Sequence, residues 1–161
     1  MRLLDLALLM EQDLQSFYRK QAELNTGNSL HIVFSLLEKE EEKHTEILKS
    51  YSDKIVLPLT ENNILDDVRE IFKEMNDIKS EIKILPSQLD VYRIALEKEE
   101  QSLNFYRELY EKAVEEQSKN VFQHLINQED KHCIILEELV KQLNRPEEWV
   151  ESAEFGLRED Y

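Results

Sequence analysis

Residues 37–48 read LEKEEEKHTEIL, and the same pattern returns 88 positions later, at residues 125–136, as LINQEDKHCIIL. Each copy places a glutamate three residues before a histidine. The correspondence extends upstream without a gap and pairs Ala7-Leu8 with Ala95-Leu96, Glu11 with Glu99, and Phe17-Tyr18-Arg19 with Phe105-Tyr106-Arg107. A match of this length predicts that one structural unit occurs twice in the chain.

Apolar residues recur at helical spacing in four long segments, two in each copy. The sequence at 25–29, Asn-Thr-Gly-Asn-Ser, predicts a tight turn and helix cap inside the first copy. Pro86-Ser87 is expected to begin the third long helix, and residues 144–146 are expected to end the fourth. We therefore predict a helical hairpin over about 1–51, a second over about 87–144, and a short tail at 145–161.

About 35 residues, 52–86, join the two hairpins, which is too many for a plain loop. They carry an amphipathic stripe of Ile64, Leu65, Val68, Ile71, Phe72, Met75 and Ile78. We expect an extra helix there, lying against the bundle or against a partner subunit. Two hairpins joined by one long crossover make a ferritin-like four-helix bundle. The fold prediction is a single all-α domain over residues 1–161.

Composition limits the possible partners. The formal net charge is -15, so the surface repels phosphate backbones and anionic lipid, and we expect neither nucleic acid nor membrane partners. No apolar run is long enough to span a bilayer. Cys133 is the single cysteine and cannot form an internal disulfide, so a cytoplasmic setting is expected and a packing role is predicted for this thiol.

Each long helix carries polar residues where its stripe requires apolar ones. These residues are Glu11, Glu41, His44, Glu99, Glu129 and His132. Burying four carboxylates without compensation would cost enough to unfold an ordinary domain. Divalent iron accepts carboxylate oxygen and imidazole nitrogen together, and residues three apart on a helix aim at one point. The pattern therefore predicts a buried pair of metal ions in the bundle.

These motifs resemble the ferritin-like di-iron carboxylate superfamily, and more closely its rubrerythrin-like branch lacking the rubredoxin domain, over residues 1–144. The resemblance implies two iron ions as cofactor, or manganese or a mixed pair, and catalytic chemistry from the ligands alone. Glu41 and Glu129 would bridge the metals, Glu11 and Glu99 would each bind one, and His44 and His132 would complete the two sets. Tyr18 and Tyr106 would hydrogen-bond ligand carboxylates.

The resemblance also implies a function. We expect an oxidoreductase that reduces hydrogen peroxide or dioxygen, and a homo-oligomer, with a dimer favoured. Two departures from the family pattern stand out. Ser102 occupies the position where rubrerythrins carry a further glutamate, and the rubredoxin cysteines are missing, so electrons are expected from an external donor.

Other interpretations stay open. The six residues could be surface glutamates and incidental histidines on a plain bundle, and the two tyrosines could be ordinary core aromatics. A real site could serve non-enzymatic iron binding, storage or delivery. The crossover helix and the Trp149 tail could instead bind a partner. We interpret Glu38, Glu40, Glu42 and Glu100 as solvated, and His31 and His124 as surface or boundary residues.

Overall fold

The computed structural model describes the backbone of residues 2–75 and 86–155, and the side chains of residues 2–75 and 88–144. The described backbone forms five helices and no strand, so the all-α prediction is confirmed. The helices are α1 (Leu3–Leu24), α2 (Leu30–Ser52), α3 (Ile64–Glu74), α4 (Pro86–Lys112) and α5 (Glu116–Phe155). Helices α1 and α2 pack closely as one hairpin, and α4 and α5 as the other.

Asparagine side chains fix the turn between α1 and α2. The side-chain amide of Asn25 donates a 2.8 Å hydrogen bond to the carbonyl of Gln21 in the last turn of α1. Oδ1 of Asn28 accepts a 2.9 Å hydrogen bond from the backbone N–H of Leu30, the first residue of α2. These bonds satisfy backbone groups that helix ends leave free, and the turn lies between Leu24 and Leu30, where the sequence predicts it.

The predicted crossover helix is present as α3. It buries Ile64, Val68 and Phe72, and Met75 follows in the same core. Helix α3 lies against α2 and α5 of its own chain, with the exposed pair Arg69 and Glu138 at its outer edge. Ile78, the last residue of the predicted stripe, lies outside the described residues.

The prediction that residues 144–146 end the last helix was wrong, because α5 continues through them to Phe155. A proline removes one backbone donor and crowds the preceding turn, which kinks a helix without always ending it. The side chain of Trp149, which the sequence offers as part of a partner-binding tail, lies outside the described side chains. Helix α4 begins at Pro86, where a missing N–H costs nothing because first-turn donors lack helical partners.

The core lies in two apolar parts, one toward each end of the bundle. The larger part is built around Leu14, Phe34, Tyr92 and Leu136, and the smaller around Ala7, Leu48, Phe122 and Leu125. The predicted ligand positions fall between these parts in every long helix. None of the described helices has the length and apolar character needed to cross a membrane.

Candidate metal centre

Each of the four long helices delivers its polar residues to the middle of the bundle. Helices α1 and α4 supply one glutamate apiece, and α2 and α5 supply a glutamate and a histidine apiece. All six side chains are buried, and the most exposed of them, His44, reaches only 2%. The alternative of surface glutamates and incidental histidines is therefore wrong for these residues.

The six residues form two overlapping groups of potential metal ligands. One group is Glu11, Glu41, His44 and Glu129; the other is Glu41, Glu99, Glu129 and His132. In each group one atom from every residue lies within 4.8 Å of the others. Glu41 and Glu129 belong to both groups. The arrangement therefore has two adjacent positions for a cation, with two carboxylates common to both.

The histidines face the carboxylates through Nδ1. Nδ1 of His44 lies 3.0 Å from Oε2 of Glu11 and 2.9 Å from Oε1 of Glu129. Nδ1 of His132 lies 2.9 Å from Oε1 of Glu41 and 2.9 Å from Oε2 of Glu99. The two rings stack, with centroids 5.4 Å apart and planes inclined by 13°. The two carboxylates nearest to each histidine thus come one from its own hairpin and one from the other.

The two tyrosines hydrogen-bond across the hairpins. The hydroxyl of Tyr18 donates to Oε2 of Glu99 over 2.7 Å, and the hydroxyl of Tyr106 donates to Oε1 of Glu11 over 2.8 Å. Both tyrosines are buried, and burial together with the neighbouring carboxylates raises the pKa of each well above its usual value. The hydroxyls therefore keep their protons and hold the carboxylates in place as donors.

The four carboxyl groups divide into two kinds. Burial alone would raise the pKa of Glu11, but the charge of His44 and the hydrogen bonds of the site lower it to about 2. Burial also opposes ionisation of Glu99, and His132 outweighs it, so the pKa of Glu99 is lowered. For Glu41 and Glu129, burial and the charges of Glu11 and Glu99 raise the pKa well above its usual value.

The histidines complete the charge balance. Burial lowers an imidazole pKa, but Glu11 at His44 and Glu99 at His132 outweigh it and raise both pKa values well above the ordinary one. Without a metal, the raised pKa values favour protons on the two histidines and on the two shared glutamates. A bound cation would take over the role of those protons.

Several buried atoms point to a missing partner. Among the described residues, no hydrogen bond reaches Oε2 of Glu41, Oε1 of Glu99, Oε2 of Glu129, Nε2 of His44 or Nε2 of His132. Unpaired buried polar atoms are costly, and a native structure holds few of them. Carboxylate and imidazole ligands in this number fit iron or manganese. The residues present therefore fit a pair of such ions.

The prediction that Glu40 is solvated was wrong. This residue is only 4% exposed, although Glu42 and Glu100 are exposed as expected. Oε1 of Glu40 accepts a 2.7 Å hydrogen bond from the amide of Asn62 and lies 3.7 Å from Nε2 of His132. Its pKa falls to about 2, because His132 and Asn62 outweigh the effect of burial. Helical periodicity does not predict the burial of Glu40, because the residue is covered by the crossover segment and not by another long helix.

Three other residues complete the surroundings. Ser102 is buried, and its Oγ has no hydrogen-bond partner within the described part of the chain. Cys133 is also buried, and burial raises the pKa of its thiol, as a packing role requires. His124 is 9% exposed and, with Glu40, His44 and Gln128, lines a cavity of about 170 Å³ beside the centre.

The fold and the centre define a class of protein, a ferritin-like helical bundle with a buried carboxylate–histidine site. The Rubrerythrin family model matches residues 2–140 and again residues 90–156. The chain belongs to the rubrerythrin family, a ferritin-like di-iron family. No curated protein and no solved structure shows significant similarity to the chain.

Proposed function

We propose that the protein binds two iron ions and uses them to reduce hydrogen peroxide or dioxygen. The observation that carries this proposal is the pair of ligand groups that share Glu41 and Glu129. Glu11 and His44 would complete one metal position, and Glu99 and His132 the other. Manganese or a mixed metal pair suits the same donor set.

A bound ferrous pair supplies two electrons, which with two protons convert one hydrogen peroxide to two water molecules. The chain's own residues prepare the site for this. Tyr18 and Tyr106 fix Glu99 and Glu11 by hydrogen bonds, so the ligands are oriented before any ion arrives. The two apolar parts of the core exclude bulk water above and below the centre.

The size of the cavity beside the centre supports a small oxidant as substrate. The cavity of about 170 Å³ reaches His44 and is lined by polar side chains, including Glu40, Asn62 and Gln128, and by apolar ones such as Ile47 and Leu57. A cavity of this volume is below the usual range for organic ligands and admits molecules of a few atoms. We propose an external electron donor to regenerate the ferrous pair, a homodimeric assembly, and a cytoplasmic role in protection against oxidants.

Rapid mixing of the anaerobic ferrous protein with hydrogen peroxide tests the activity. We expect oxidation of the unaltered protein at least tenfold faster than that of Glu41→Ala, which removes a carboxylate common to both positions. Glu42→Ala is the matched control, because it removes a neighbouring exposed carboxylate. Equal oxidation rates in all three proteins would exclude the proposed activity.

Two further measurements separate the alternatives. Light scattering distinguishes a dimer from the large hollow shell that iron storage requires. Thermal unfolding with and without added ferrous iron addresses a purely structural bundle, whose melting temperature iron would not change. Binding at one hundred times Kd stabilises a protein by about 2.7 kcal/mol. For a chain of this length we expect a rise of roughly 5–10 °C.

A further inference from the structure

The residues just before the two shared glutamates break the symmetry of the duplication. Glu40 precedes Glu41, and at the equivalent place Gln128 precedes Glu129. Both side chains are buried, at 4% and 2% exposure. One hairpin therefore places a carboxylate beside the centre where the other places a neutral amide.

The crossover holds both side chains through one residue. The amide of Asn62 donates a 2.7 Å hydrogen bond to Oε1 of Glu40 and a 3.1 Å hydrogen bond to Oε1 of Gln128. Oδ1 of Asn62 in turn accepts the backbone N–H of Ile64, at the start of α3, over 3.1 Å. Asn62 therefore holds the carboxylate of Glu40 and the amide of Gln128 close together, and the two groups differ in charge.

The carboxylate lies closer to His132 than to His44, although Glu40, His44 and His132 each offer one potential ligand atom within 4.8 Å of the others. Oε1 of Glu40 is 3.7 Å from Nε2 of His132, and that nitrogen has no hydrogen-bond partner among the described residues. Nδ1 of His132 faces Glu41 and Glu99 on the opposite side of the ring. A metal bound at Nδ1 requires the proton on Nε2, and a carboxylate facing Nε2 favours that tautomer and strengthens the ligand.

We infer that Glu40 is a positioning residue for His132 and makes the two metal positions unequal in affinity. The position formed by Glu41, Glu99, Glu129 and His132 is the stronger, because Glu40 adds a negative charge and an acceptor behind its histidine. Nε2 of neither histidine has a hydrogen-bond partner among the described residues, so the difference between them is the Glu40 carboxylate 3.7 Å from Nε2 of His132. This inference rests on the proposed function only in that two ions must bind.

Titration of the metal-free protein with Co²⁺, followed by calorimetry and visible absorption, tests the inequality without any turnover. We expect the unaltered chain to bind two ions in two separate steps. Glu40→Gln keeps the side-chain volume and an acceptor for Asn62, so the fold is preserved. It should weaken one step by about 10- to 100-fold, the usual effect of losing an outer partner of a metal ligand. The other step should stay within about twofold.

Background variants identify the position that changes. Glu11→Ala damages the His44 position, and Glu99→Ala damages the His132 position. In the Glu11→Ala background, where the His132 position remains, Glu40→Gln should still weaken ion binding. In the Glu99→Ala background, where the His44 position remains, Glu40→Gln should change the affinity little.

Glu42→Gln is the charge control, since it neutralises an exposed glutamate of the same helix. If Glu42→Gln weakened ion binding as much as Glu40→Gln, the effect would be one of general charge and the inference would be overturned. Unchanged ion binding in Glu40→Gln would also overturn it. Three ions per chain would overturn it too, because Glu40 would then be a direct ligand. Fewer than two ions in the unaltered chain would overturn the proposed function along with it.

Discussion

The hydroxyl of Tyr18 in α1 donates a 2.7 Å hydrogen bond to Oε2 of Glu99 in α4, and Tyr106 in α4 reciprocates with a 2.8 Å bond to Glu11 in α1. Each tyrosine thus supports the carboxylate of the other hairpin, not the one earlier on its own helix. The duplicated halves are joined at the centre by charge-assisted hydrogen bonds as well as by apolar packing.

Replacing Tyr18 by phenylalanine removes one of these bonds and nothing else. Because the acceptor Glu99 is ionised, the free energy of unfolding of the metal-free protein should fall by about 1.5–3 kcal/mol. Urea unfolding at neutral pH measures this change. Tyr110→Phe, at a half-buried tyrosine outside the centre, should stay within about 0.5 kcal/mol of the unaltered chain. A Tyr18→Phe protein as stable as the control would contradict the role of this bond.

Neutralising a shared glutamate should affect ion binding more than neutralising an unshared one. We expect Glu41→Gln to lose both ions and Glu11→Gln to lose one, as measured by metal analysis after anaerobic loading. In the metal-free protein, Glu11→Gln should lower the free energy of unfolding more than Glu41→Gln does. The raised pKa of Glu41 means that its charge is unfavourable in the fold, whereas the charge of Glu11 is paired with His44. Greater destabilisation by Glu41→Gln than by Glu11→Gln would exclude this assignment.

Metal affinity should fall as the pH falls from 8 to 6. The pKa values of His44 and His132 are raised, so both rings hold protons that a metal ion must displace. Each displaced proton weakens apparent binding by about tenfold per pH unit. The same raised pKa values stabilise the metal-free fold at low pH, and this stability is lost as the pH rises through them. Chelator competition at several pH values checks the first trend, and a flat profile would contradict it.

Ser102→Ala should leave ion binding unchanged and stabilise the protein by up to about 1 kcal/mol. The Oγ of Ser102 is buried without a hydrogen-bond partner among the described residues, so its removal relieves a desolvation cost. Thermal unfolding and metal analysis of the variant measure the two effects. Loss of an ion would mean that this hydroxyl serves as a ligand or supports one.

The bundle and the positions of the six polar residues could be predicted because helical spacing is a local property of the sequence. Glu11 interrupts a stripe between Ala7 and Leu14, and no knowledge of the other helices is needed to see the interruption. The Glu-x-x-His spacing of Glu41 and His44 likewise fixes their common direction. The extra helix in the crossover followed from the same periodicity.

Contacts made by non-helical segments could not be predicted in this way. Glu40 follows the periodicity of a solvated residue, yet Asn62 of the crossover covers it. The partner of each tyrosine depended on how the hairpins face each other, which a repeat alone does not specify. The end of α5 was misjudged because Pro146 weakens one turn, whereas neighbouring turns decide whether a helix continues.

Each of the two ligand groups takes three residues from one hairpin and one residue from the other. Glu11, Glu41 and His44 all come from the first hairpin, which completes its set by borrowing Glu129, and the second hairpin borrows Glu41 in the same way. Either hairpin by itself would supply only three of the four ligands of its metal position. Two separate copies of such a hairpin, facing each other, could each supply the fourth ligand of the other. Because the crossover joins the two hairpins in one chain, assembly of the centre is intramolecular and does not depend on protein concentration.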